Sequence, residues 1–292
     1  MSGVTEQEII ASNLKFIRER EAELERLRAL EVGELTLPEL PSPAAMRDIS
    51  HVWRRITRTD GFDAAARTVL CRRMFEEYSG AGVDFAGVLL RGSVSVDEWL
   101  LGRDDTPPLV SYVGNPYSDE ARRRLYGETS VREHACRSFS ELCDDISTGV
   151  SDGCMIPIEN TSDGKLMSFY SIIDRLELKI LRTCDVESSD GDKATRYALL
   201  ARRACLPCTG DAHYLEFSFS VTDGAVLGSI LRAAEAMSLN IYRIDSIGQR
   251  YDEAFSTHYL VLHGGGDDLL CFLLYLALEL PGYTLIGLYD HV

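Results

Sequence analysis

The stretch GCMIPIENTSDGK, residues 153 to 165, decides how this chain is read. Gly153 to Ile158 are small or apolar over the length of a buried strand. Glu159, Asn160, Thr161, Ser162, Asp163 and Gly164 follow, polar or without a side chain. Then KLMSFYSIIDRL, residues 165 to 176, carries apolar positions at helical spacing. A buried strand, a polar ledge and a helix predict a strand–loop–helix unit. Free N–H groups at such a helix start favour an anion. The same polar residues also suit plain capping of a strand end.

Upstream, the pattern repeats. LVSYVG from Leu109 reads as a strand, SDEARRRLYG as a helix ending at Gly127, and TSVREHAC as a strand. SFSELCDDISTGV reads as a helix, with Ser138 and Glu141 forming a capping box. This alternation predicts a parallel, doubly wound sheet, with ligands beyond the carboxyl ends of its strands. Downstream, from about 211 to 292, the order changes. HYLEFSFSV, NIYRIDSIGQR, FSTHYLVLHG and YTLIGLYDH read as strands. DGAVLGSILRAAEAM, with Asp223 as cap, and DDLLCFLLYLALEL, with Asp267 as cap, read as helices. The order βαββαβ is that of a ferredoxin-like unit.

Residues 1 to 90 read as helical. Ile10, Leu14, Ile17, Leu24 and Leu27 form one stripe. After a Pro-rich break, with Ser42 as cap and Pro43 in a first turn, Met46, Ile49, Trp53 and Ile56 form a second, broken at Gly61. Val69, Leu70, Met74, Phe75 and Tyr78 form a third. Such stripes need a bundle or a partner to cover them.

Composition narrows the functions. The 292 residues carry a formal charge of −16, which repels phosphate backbones and anionic membranes, so neither nucleic acid nor membrane is an expected partner. No apolar run has spanning length and the N-terminus lacks signal-peptide features, so a cytoplasmic location is expected. The eight cysteines read as reduced core thiols. Cys205 and Cys208, near His213, have the spacing of a zinc or redox pair but also suit an ordinary linker.

Together these motifs resemble the prephenate dehydratases. GCMIPIENTSDG resembles that family's Pro-Ile-Glu-Asn-Thr/Ser-x-x-Gly signature, and KATRYALLARR its Thr-Arg-Phe motif, with Tyr197 in place of Phe. LVSYVGNPYSDEA resembles the family's opening strand and loop. GAVLGSIL and LNIYRIDS resemble the two motifs of the appended phenylalanine-binding ACT domain. The N-terminal helices resemble, more loosely, the chorismate mutase module of bifunctional members.

The resemblance implies an α+β and α/β multidomain protein. Residues 1–90 would be a chorismate-mutase-like helical segment. Residues 108–204 would be a single doubly wound α/β lobe, half of a periplasmic-binding-protein-like pair. Residues 211–292 would be a ferredoxin-like ACT domain. It implies decarboxylating dehydration of prephenate to phenylpyruvate, with chorismate as a further substrate if the mutase module works. Thr195 would assist loss of the hydroxyl and Arg196 would hold a substrate carboxylate. Glu159, Asn160, Thr161 and Ser162 would line the cleft. L-phenylalanine would act at Gly224, Ala225, Val226, Leu227, Asn240, Asp245 and Ser246. A homodimer is implied, and no cofactor or metal. For a mutase site, Lys15, Arg18, Arg20, Arg28, Arg47, Arg54 and Arg55 would supply cations; equally they suit partners for surface glutamates.

One departure stands out. The family is two-lobed, but RLELKILRTCDVESSDGDKATRY joins the two motif regions within about twenty residues, too few for a lobe with its own core. A hairpin-like connection is expected there, and a cleft open on one side. The alternative function is a non-catalytic, phenylalanine-sensing regulatory or scaffold protein of the same ancestry.

Overall fold

The computed structural model describes residues 14–18, 20, 28, 30, 32–58, 62–91, 94–102, 106–187, 193–207, 213–221, 224–249 and 252–292. Ile10, Leu24, Leu27, Gly61, Cys208 and Asp223 lie outside the described residues.

Helical residues at 14–18, 20, 28, 30 and 32–33 precede four further helices: α1 (Met46–Thr57), α2 (Ala64–Gly80), α3 (Phe85–Leu90) and α4 (Val96–Leu101). An alternating region follows: β1 (Leu109–Val113), α5 (Ser118–Tyr126), β2 (Arg132–Cys136), α6 (Phe139–Thr148), β3 (Gly153–Asn160), β4 (Gly164–Lys165) and α7 (Met167–Arg175). The hairpin β5 (Lys179–Glu187) and β6 (Ala194–Ala201) comes next. The C-terminal unit is β7 (His213–Val221), α8 (Gly224–Ala236), β8 (Asn240–Gln249), β9 (Asp252–Gly264), α9 (Gly266–Glu279) and β10 (Thr284–His291).

The strands form one mixed sheet of order β2-β1-β3-β6-β5-β10-β7-β9-β8, with β4 paired to β3. Within the alternating region β2, β1 and β3 are mutually parallel. β6 enters antiparallel between β3 and β5, which corrects the expectation of a wholly parallel sheet over this region. The reason is the short β5–β6 connection: a tight return reverses the chain, and a parallel return needs a long crossover. The C-terminal unit has the antiparallel order β10-β7-β9-β8 of a ferredoxin-like fold. Its last strand, β10, also pairs in parallel with β5, so one sheet runs through both halves. Gly287 makes that junction: a Cβ there would lie 2.6 Å from the Ile180 carbonyl oxygen.

The sheet is strongly curled. Six strand spacings separate β3 from β8, about 29 Å if flat. Yet Glu159 on β3 and Arg243 on β8 lie 2.6 Å apart. Accumulated strand twist rolls the two ends toward each other.

Alternation assigns the two faces of β6. Tyr197, Leu199 and Ala201 join Val96, Leu100 and Leu125 in one core. Ala198 and Leu200 join Ile156, Ile158, Tyr170, Ile286 and Tyr289 in a second, under α6 and α7. The third core is the largest. Ile49, Trp53, Leu70 and Met74 of α1 and α2 pack with Phe217 of β7, Ala234 of α8 and Phe272 of α9. The N-terminal stripes are covered by the helices of the C-terminal unit. Each large apolar side chain so buried contributes about 2 kcal/mol.

The caps follow local chemistry with some corrections. Ser138 accepts from Glu141 N–H and starts α6 as expected. The reciprocal arm of that box falls one residue early, on Arg137 N–H. α1 starts at Met46, not at Ser42–Pro43, because the Asp48 carboxylate accepts from Ala45 N–H and fixes the start there. Asp267 lies inside the first turn of α9, and Gly265 is its cap. No helix among the described residues is long and apolar enough to cross a membrane.

Candidate functional site

The ledge that opened the sequence reading is a hairpin. Glu159 pairs with Lys165 and Asn160 with Gly164, so β4 separates the ledge from α7. This corrects the expected helix-start anion site. Gly164 has φ +68°, a conformation that a turning glycine adopts without strain. The turn satisfies itself: Asn160 Nδ2 donates to Asp163 at 2.9 Å, and Asp163 N–H donates back to Asn160. Thr161 Oγ1 donates to the Ala194 carbonyl at 3.0 Å and accepts from Ala194 N–H at 2.8 Å. Its hydroxyl stitches the turn to β6, and Ser162 is exposed.

Register then brings the two sequence motifs together. Across β3 and β6, Glu159 opposes Arg196 and Asn160 opposes Thr195. The register shifts between Pro157 and Glu159, a bulge beside a proline that has no N–H to offer the ladder. On the other side of β6, Asp185 opposes Arg196. The guanidinium is therefore flanked by a carboxylate on each neighbouring strand. Arg196 Nε and Nη2 donate to the two Asp185 oxygens at 2.8 and 3.0 Å. Nη1 lies 3.6 Å from Glu159. Tyr242 of β8 closes over the group, its hydroxyl 3.5 Å from Nη2.

From there alternating charges continue. Glu159 accepts from Arg243, and Arg243 Nε lies 2.8 Å from Asp245. Asp245 is 3.6 Å from Lys165, whose ammonium reaches buried Glu216 at 2.6 Å. Glu216 also accepts from Tyr289 at 3.0 Å. The Lys165 ammonium sits over the Tyr170 ring, 4.1 Å from its centroid. The expected open side is thus walled by β8 of the C-terminal unit.

Burial opposes ionisation of Asp185, but hydrogen bonds from His291 and Arg196 outweigh it and hold the carboxyl well below the usual range. Burial also opposes the Arg196 charge, and its bonds to Asp185 and Tyr242 raise its pKa regardless. Arg196 is therefore an obligate cation with its fork already filled. Tyr197 donates its hydroxyl to Asn115 at 3.1 Å. That asparagine also caps the start of α5 through Tyr117 and Ser118 N–H.

The effector residues fall on the start of α8 and along β8. Gly224 to Leu227 begin α8, with Val226 and Leu227 packed on the shared core. Ser246 hydrogen-bonds His258 at 2.7 Å, while Asp245 belongs to the charge network. Asn240 starts β8, six residues and about 20 Å before Ser246. Of the mutase cations, Arg28 pairs with Asp63, and Arg54 and Arg55 are exposed. His213 bonds Asp290 at 2.6 Å.

Asp185 and Glu216 had no sequence motif to mark them, and Lys165, Tyr242 and Arg243 lay in motif stretches without an assigned role. The one available signal was the hairpin itself: joining β5 to β6 fixes Asp185 opposite Arg196.

The architecture defines a mixed α/β protein with a ferredoxin-like C-terminal unit. Residues 110–203 match the prephenate dehydratase family model, about a third of the chain. No curated protein sequence matches the chain. Among solved structures, the prephenate dehydratase of Streptococcus mutans is similar at a TM-score of 0.51 and 12% identity, over 63% of this chain and 100% of that one. The prephenate dehydratase of Arthrobacter aurescens in complex with L-Phe gives 0.49 and 14%, over 62% and 90%. A structure described as GqqA, a novel type of quorum quenching acylase, gives 0.49 and 19%, over 62% and 94%. At these identities the likeness is one of fold.

Proposed function

We propose that the chain is a divergent prephenate dehydratase, converting prephenate to phenylpyruvate in phenylalanine synthesis and answering to an aromatic amino acid through residues 211–292. The supporting observation is the register of β3 and β6. It sets Glu159 and Asn160 against Arg196 and Thr195, inside the segment that matches the family. In this reading Thr195 assists departure of the hydroxyl and Arg196 exchanges Asp185 for a substrate carboxylate. Exchange keeps the buried guanidinium paired throughout, which limits its cost. β8 takes the place of the missing lobe and keeps water from one side of the site.

The test supplies purified protein with prephenate, and separately with chorismate, and follows phenylpyruvate against a no-enzyme control. Phenylpyruvate is expected from prephenate, and Arg196→Ala is expected to abolish it while the circular dichroism spectrum stays native. No phenylpyruvate from the wild type would overturn the reading and leave the non-catalytic sensor. Prephenate formed from chorismate would assign mutase activity to the N-terminal helices.

L-phenylalanine is the proposed effector, at the α8 start. Gly224→Val is expected to remove its calorimetric binding signal; unchanged binding would exclude that loop. The chain is proposed to be a homodimer. β8 pairs only with β9 among the described residues and exposes Ile241, Tyr242, Ile244 and Ile247, an edge that favours self-association. Light scattering at 32.5 kDa would exclude it.

A further inference from the structure

At the other edge of the sheet lies a second cluster that the proposed reaction does not use. His134 and Cys136 are two residues apart on β2, so their side chains leave the same face. α6 covers that face and places Asp145 between them. His134 Nδ1 lies 2.8 Å from Asp145 Oδ2, and Cys136 Sγ lies 3.4 Å from the same oxygen. The three donor atoms all fall within 4.8 Å of one another.

These separations are near those a small cation imposes. Zinc holds sulfur at about 2.3 Å and nitrogen or oxygen at about 2.1 Å, so tetrahedral ligand atoms sit roughly 3.3 to 3.8 Å apart. Shifts of up to about an ångström at the side chains bring the set to that geometry. The support behind it is built. Ser111 on β1, fully buried, donates to Asp145 Oδ2 at 2.9 Å and bonds Ser151 as well. Ser111 is also the register partner of His134 across β1 and β2, so the strand pairing fixes both at one level. A hydroxyl on a ligating carboxylate orients it, as metal sites require. Access is one-sided: the His134 side chain is 42% exposed and that of Asp145 14%. Three protein ligands with one open approach leave a fourth position for water.

We propose that His134, Cys136 and Asp145 bind a divalent transition-metal ion, zinc by the nitrogen, sulfur and oxygen character of the set. His134 Nδ1 and Cys136 Sγ both face Asp145 Oδ2, and the ion becomes the shared partner of all three ligands.

The test uses the full chain, reduced and stripped with chelator, titrated with Co2+ and then Zn2+. One equivalent of Co2+ is expected to give a thiolate-to-cobalt charge-transfer band, bleached by Zn2+. Cys136→Ser is expected to abolish the band, His134→Ala and Asp145→Asn to weaken binding at least tenfold, and Cys205→Ser/Cys208→Ser to leave it. No band in the wild type would overturn the proposal, as would a band that survives in Cys136→Ser. Should Cys136→Ser fail to fold, the half-exposed His134→Ala decides: zinc retained at wild-type affinity after dialysis refutes the site.

Discussion

Arg196 shows how far a motif carries at the residue scale. Its identity and its neighbour Thr195 were legible, because the motif is contiguous in sequence. Its partner was not, because Asp185 becomes relevant only when β5 and β6 pair. The pair makes a pH-dependent contribution of definite sign. Asp185 has a folded pKa below its ordinary value. It therefore stabilises the fold above about pH 4, the unfolded value, and loses that contribution as pH falls toward the folded one. Its side chain is 38% exposed, so solvent screening leaves about 1 kcal/mol. Urea unfolding at pH 6 and pH 3 should show wild type losing more stability than Asp185→Asn across that interval. Equal losses would mean that the pair is not formed. In the proposed reaction the same variant should lower the KM for prephenate, because Arg196 would no longer exchange one carboxylate for another. A raised KM would instead make Asp185 a positioning residue for the Arg196 fork.

At the scale of elements, the strands and helices were legible because alternation and helical spacing are local properties. Ser138 illustrates this: a hydroxyl three residues before a glutamate was enough to place the start of α6. Ser138→Ala should cost about 1 kcal/mol, read from the urea midpoint. Sheet order was not legible, since the pattern along a strand does not name the strand beside it. The ledge was misjudged for a related reason. A two-residue strand such as β4 leaves no periodicity, so a hairpin looked like a loop before a helix. Gly287 carries an element-scale consequence. A Cβ at this position would also sit 2.8 Å from Ile180 Cβ, so Gly287→Ala pushes β10 off β5. Overpacking of this kind costs about 1–3 kcal/mol. Amide exchange in β5 and β10 should quicken together in that variant; protection unchanged in either strand would mean that the junction is dispensable. The curl is testable apart from the junction. A double-mutant cycle on Glu159→Gln and Arg243→Gln should give a coupling of about 0.5–3 kcal/mol, and additivity would mean that β3 and β8 do not meet.

For the whole molecule, sequence segmentation and structural cohesion part ways. The sequence divides into a helical, an alternating and a ferredoxin-like segment; β4 and the antiparallel β6 depart from the second, and most of the first helical stripe lies outside the described residues. The cores cross those divisions. Leu70 and Met74 are fully buried against the C-terminal unit, and Trp53 donates its indole N–H to Glu279 of α9 at 2.8 Å. Arg67 grips the same carboxylate with distances of 3.0 and 2.8 Å. Sequence could not reveal this, since an apolar stripe states that it needs cover and not what covers it. An N-terminal module with its own core would melt by itself. A shared core links that melting to the C-terminal unit, and the β5–β10 pairing links the unit to the rest. Leu70→Ala should therefore cost about 2–5 kcal/mol, and calorimetry should show the whole chain melting earlier in one transition. A separate early transition, with the remainder unchanged, would mean that the N-terminal helices are an independent module resting on the C-terminal unit. The aromatic amino acid proposed as effector gives the same question a second reading. If α8 binds it, saturation should raise the melting point of the N-terminal helices as well, because α8 and α2 share one core.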